Sequence, residues 1–146
     1  MGIFGIGETY GVIWSAVSWQ LAIGLILAYG LGMLWYGEKG FGKLWMELQP
    51  HRTNEVHSGM WQGMVSSAAD LILSTCVIIL LVAAYGLAAV DLFVGAVWLG
   101  TFTNNFFKGG SVRLWMIDVG YLTTQYLIVL LALYLAGFTA VAAAAG

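Results

Sequence analysis

Three stretches of this 146-residue chain are almost free of charge, and their lengths dictate what it can fold into. Tyr10 to Gly37 carries no charged residue, Ser58 to Phe107 carries only Asp70 and Asp91, and Val119 to Gly146 carries none. A helix crosses the hydrocarbon core of a bilayer with about 20 apolar residues. The first and last stretches therefore read as one span each, and the middle one, too long for one, as two joined by a tight turn near 85–91. The expected spans are 11–36, 59–85, 88–107 and 112–137. Within lipid each span has to close its own backbone hydrogen bonds. The fold class is thus an all-α integral membrane protein, a four-transmembrane-helix bundle forming a single domain over 1–146. With 61% hydrophobic and 8% charged residues, against about a quarter charged in soluble domains, the chain has too little charge to cover a globular surface.

Orientation follows from the cations. Lys39, Lys43 and Arg52 fall between the first two spans, Lys108 and Arg113 between the last two, so all five share one side. Lys and Arg mark cytoplasmic loops. Loops 37–58 and 107–113 are then cytoplasmic, both termini periplasmic, and the membrane is the cytoplasmic (inner) one. The first nine residues lack Lys and Arg, so the first span reads as retained, not as a cleaved leader. Tyr36, Trp45, Trp115 and Tyr121 fall at the cytoplasmic interface level, where aromatic rings anchor helices.

Several function classes lose support. A net charge of −2 does not suit nucleic acid, which wants a basic patch. No His/Cys spacing of a metal site, phosphate loop or nucleophile–base signature is visible, so no cofactor, metal or catalytic residue is expected. His51 and His57 read as solvated loop residues. The lone cysteine, Cys76, reads as a small buried apolar group.

Two tetrapeptides, KLWM at 43–46 and RLWM at 113–116, are nearly alike, and each follows a Leu-Gly pair and a Phe/Gly/Lys loop. Either this is a chance match in a Leu- and Trp-rich chain, or the protein is two tandem helical hairpins. The segment LGMLWYGEKGFGKLWMEL (31–48) resembles the signature WYGxxFGKxWM of the bacterial four-span membrane family "domain of unknown function 1761". Trp35, Tyr36, Gly37, Phe41, Gly42, Lys43, Trp45 and Met46 match it position by position. Asn105, Phe106, Phe107, Leu114, Ile117, Gly120 and Tyr121 are similar to its later pattern. Glu38 departs, standing where that family often has proline. The resemblance, over roughly 15–136, implies the four-span topology and no activity.

The candidates for function are few. The glycine-rich elbow presents Lys39, Phe41, Lys43 and Trp45 at the interface, as a structural bend or a contact for lipid phosphates or an acidic partner. On the second span Gln62, Ser66, Asp70 and Ser74 share one face at i, i+4 spacing, with Asp70 about 16 Å from the helix start at 1.5 Å per residue. A charge at that depth is costly, so Asp70 is expected to face the bundle. There it is a neutral hydrogen-bonding seam or a proton or cation site. Asn104 and Asn105, with Thr101 and Lys108, are expected to meet Asp118 in a shallow polar cluster, followed on the last span by Gln125. Small residues at Gly24, Ala28 and Gly32, and at Gly59 and Gly63, allow close helix approach.

The function these features favour is a non-enzymatic accessory or scaffold subunit of a larger membrane complex, or a homo-oligomer. Its partners are then membrane lipids and other membrane-protein chains. The alternative is a small-solute or proton/cation carrier using Asp70 with Asn104 and Asp118. A cysteine placed at Gly146, with Cys76→Ser as background, should react with an impermeant maleimide from the periplasmic side. Labelling only from the cytoplasmic side would reverse the orientation.

Overall fold

The computed structural model of the chain describes residues 6–49 and 56–138, with side-chain surroundings for 7–49 and 64–138. Among the described residues there are six helices and no strand: α1 (Ile6–Ala16), α2 (Trp19–Trp35), α3 (Gly42–Leu48), α4 (Val56–Tyr85), α5 (Leu87–Phe107) and α6 (Val112–Leu135). The part of α4 with described side chains (Met64–Tyr85), α5 and α6 are each long and apolar enough to cross a membrane, and α1 with α2 makes a fourth only if the bent pair is one span.

That bend corrects the sequence reading. The expected span 11–36 is two helices meeting at 81°. The backbone at Ser18 is extended (φ −146°, ψ 164°), and its hydroxyl oxygen accepts the Leu21 N–H at 3.2 Å. This is an N-cap, which starts a new helix by satisfying one of its orphan donors. α1 then turns aside and packs across α4, placing Ala16, Val12 and Ile13 against the main core. Hydropathy runs smoothly through the break because Val17 and Trp19 flank it, so only Ser18 records it. Left with 17 residues, α2 is about 26 Å long.

α6 is the organising helix. It packs closely against α2, also against α5, α4 and α3, and buries Ile117, Tyr121, Gln125, Tyr126, Val129 and Leu133 among others. The small-residue face of α2 makes the closest approach. A Cβ on Gly24 would sit 2.6 Å from the Ala132 Cβ, one on Gly32 would sit 2.7 Å from the Tyr121 hydroxyl, and Ala28 between them is fully buried. Gly24, Ala28 and Gly32 are therefore used inside the bundle. The packing of Gly59 and Gly63 lies outside the described residues.

The two sequence copies do not form two closed hairpins. α2 packs chiefly on α6 and only lightly on its chain neighbour α4. KLWM opens α3, which stops at Leu48, whereas RLWM opens the full-length α6. The copies share one device, an indole aimed sideways: Trp45 Nε1 donates to Asp118, and Trp115 Nε1 to the Trp98 carbonyl and the Thr101 hydroxyl. At the opposite end a single residue, Gly86, joins α4 to α5. Its φ of 77° and ψ of −173° is a conformation left to glycine.

Overpacking a close helix crossing typically costs about 1–3 kcal/mol, so Gly24→Leu should lower the denaturation midpoint in detergent. Ile26→Leu, on an exposed position of the same helix, should not. Equal midpoints would refute the close α2–α6 contact.

Candidate functional site

The elbow after α2 folds back on itself. Phe41 N–H donates to the Trp35 carbonyl at 2.7 Å, and Gly40 and Gly42 N–H donate to the Gly37 carbonyl at 3.0 and 3.2 Å. Gly42 is required by crowding: a Cβ there would collide with the carbonyl oxygens of Tyr36 and Gly37. The tight turn lays α3 against α6, and the signature residues then converge on one carboxylate. Asp118 Oδ1 accepts the Tyr36 hydroxyl at 2.8 Å and the Trp45 indole N–H at 2.9 Å. Trp35 Nε1 donates one residue earlier in α6, to the Ile117 carbonyl at 3.1 Å. The rings interlock: Tyr36 meets Trp45 and Tyr121 edge-on at 5.4 and 5.1 Å, and Trp35 packs on Phe41 at 5.0 Å. Burial first, and then the Asp118 carboxylate, hold the Tyr36 hydroxyl far above the usual tyrosine range. It stays a hydrogen-bond donor at any physiological pH.

Two cavities flank this latch. On one side a polar cavity of about 300 Å³ lies between α3, α5 and α6, lined by Gln49, Thr101, Asn104, Lys108 and Asp118 among others. The structure thus brings together the residues that the sequence groups at this level. Asn105 borders the cavity but serves the chain: its Nδ2 donates to the Ser111 carbonyl at 2.8 Å, fixing the α5–α6 turn where Ser111 caps α6. On the other side, an open-sided cavity of about 610 Å³ lies between Tyr29, Gly32 and Met33 of α2 and Met64 and Ser67 of α4, with Tyr36, Trp45 and Tyr121 at its end.

The α4 stripe differs from its expected form. Ser74 is buried, but Asp70 and Ser66 are exposed on the bundle's outside. Ser74 and the half-buried Ser67 form the inner side of the stripe, near Tyr126 and Tyr121 of α6, with Asp70 at its outer edge. Asp70 sits at the open edge of this seam because α4 touches α6 only lightly. It does not share a cavity with Asp118. Gln125 is buried and donates to the Ala28 carbonyl at 3.1 Å and to the Tyr121 hydroxyl at 2.6 Å, tying α2 to α6. In the elbow Lys39, Lys43 and Phe41 are exposed, while Trp45 turns inward.

Sequence reasoning assigned Tyr36, Trp45 and Tyr121 to an interfacial belt, whereas all three point into the latch. The signal for that inward turn is Asp118, a carboxylate in need of donors, which the sequence pairs with Asn104 and Asn105 and not with these rings. Ser67, outside the expected stripe, stands three residues before Asp70 on the side of α4 nearer α6. Among the described residues, no group of three or more His, Cys, Asp or Glu side chains is placed to hold a metal. The histidines of the 50–57 loop lie outside the described side chains.

These features define a class: an all-helical protein of span-length apolar helices, locked by an aromatic elbow on a carboxylate of its central helix. The family described as "Protein of unknown function (DUF1761)" matches residues 19–135, and the chain belongs to it. The match begins with the first residue of α2 and ends with the last of α6, so it contains the latch in full and leaves α1 outside. No curated protein and no solved structure matches the chain.

Removing the Asp118 carboxylate leaves two partly buried donors unpaired, each costing about 1–3 kcal/mol. Asp118→Leu should therefore lower the midpoint of unfolding and free the elbow to proteolysis, with Asp118→Asn milder. An elbow that remains resistant in Asp118→Leu would show that the latch does not hold it.

Proposed function

We propose that the chain is a four-span protein of the cytoplasmic membrane that works by association, as a non-enzymatic accessory or scaffold subunit or as a homo-oligomer. Both termini face the periplasm, and the elbow and the α5–α6 turn face the cytoplasm, in keeping with the five Lys and Arg residues. The observation that carries this reading is the exposed Asp70. It lies within the Met64–Tyr85 stretch of α4, which is long and apolar enough to cross a membrane. A charged carboxylate at depth in the bilayer costs about 2.5 kcal/mol or more, and acyl chains supply no donor to offset that. A second protein surface does. α5 supports the same reading: Val90 is its one buried residue, while Leu92, Leu99 and Phe107 lie open.

The polar cavity beside Asp118 favours a second reading, a carrier of small polar solutes. In that case Asn104, Lys108 and Asp118 form the binding group and Asp70 has no part in it.

The two readings separate by mass and flux. Extracted in mild detergent, the wild-type particle should exceed the 15.7 kDa of one chain, and Asp70→Leu should reduce it to the single-chain mass. A wild-type particle that is already a single chain would remove the association reading. Solute flux in proteoliposomes that survives Asp70→Leu and disappears with Asn104→Leu would establish the carrier.

A further inference from the structure

The 610 Å³ cavity on the α2–α4 side opens sideways onto the outer face of the bundle, so it is filled by water or by what surrounds the bundle. The chemistry of its walls selects the occupant. Water in such a space needs two to four polar partners, and the wall has few to spare. Tyr29 donates to the Met64 carbonyl at 3.2 Å, Tyr36 and Trp45 donate to Asp118, and the Tyr121 oxygen accepts the Gln125 amide at 2.6 Å. What faces the space is ring surface and two methionines, Met33 and Met64. Both are exposed on the open side, and both are flexible enough to shape themselves around a chain. The occupant is therefore hydrocarbon, entering from the side.

The elbow that closes the end of the cavity adds charge. Lys39 and Lys43 are exposed on it, and so are Glu38 and Glu47. A headgroup that carries both a phosphate and an ammonium finds an opposite charge for each, whereas a purely anionic one meets two carboxylates as well. We propose that this cavity binds one acyl chain of an amine-bearing zwitterionic phospholipid, with its phosphate against Lys39 and Lys43 at the elbow.

This inference rests on the membrane reading, which carbonate extraction of native membranes tests on its own: a chain released by the wash is not integral. For the site itself, the full-length protein is reconstituted in phosphatidylcholine vesicles. These carry a photoactivatable acyl diazirine on either phosphatidylethanolamine or phosphatidylglycerol, and labelled peptides are mapped. Phosphatidylethanolamine should label the Met33 and Met64 peptides in preference to the exposed face of α5 around Leu92 and Leu99. Met33→Trp, which fills the cavity, should abolish that preference. The pair Lys39→Glu and Lys43→Glu, on exposed positions that leave the bundle untouched, should lower it at least about fivefold, the worth of one basic residue at a membrane surface. Even labelling of all outer faces, equal or stronger labelling by phosphatidylglycerol, or labelling that withstands both sets of variants would each overturn the proposal.

Discussion

The fold depends on one carboxylate and the two donors that reach it. Asp118 Oδ1 accepts the Tyr36 hydroxyl and the Trp45 indole N–H, and these donors lie on opposite sides of the glycine elbow. One acceptor on α6 therefore fixes where α2 ends and where α3 lies. Charge-assisted hydrogen bonds are roughly twice as strong as neutral ones, and here they close in a ring-lined, half-buried setting where a missing partner is expensive. Trp35 on the Ile117 carbonyl and Gln125 on the Ala28 carbonyl extend the same α2–α6 seam. The remaining helices are held far more loosely. α4 meets α6 only lightly, and α5 buries one side chain.

This unequal packing sets the two cavities. Where α2 and α6 are drawn together, Gly24 and Gly32 leave no room at all. Between α2 and α4, which touch only lightly, space opens on the latch's other side. The signature residues are thus architectural: they make the elbow, and the elbow makes the cavities. Function, on the reading given above, lies in what those cavities and the outward α4 edge meet.

Much of this was legible in the sequence, and what was not has a physical reason. The charge-free stretches coincide with α4, α5 and α6, because a bilayer's tolerance of charge is written directly in composition. The Thr101, Asn104, Lys108 and Asp118 group was legible from depth alone, since the α5–α6 turn is short. The break at Ser18 was hidden because an N-cap needs one hydroxyl and changes hydropathy little. The facing of Asp70 was misjudged for a subtler reason. Ser66 and Ser67 are neighbours only 100° apart on the helix, so periodicity offers two polar lines through Asp70, and the choice between them is made by where α6 stands. The inward turn of Tyr36 and Trp45 was likewise invisible, because an aromatic belt and an aromatic latch have the same spacing along the chain.

The Ser18 cap also has a consequence for the surrounding bilayer. With 17 residues, α2 is about 26 Å long, while the 21 residues of α5 span about 32 Å. In a membrane one bundle would thus present two hydrophobic thicknesses, and lipids meeting α2 would have to shorten where those meeting α5 would not. Such mismatch costs fractions of a kcal/mol per ångström and is relieved when thin edges meet. On the association reading proposed above, the thin α2 flank is where copies of this protein, or other short-spanned neighbours, would gather even without a specific contact.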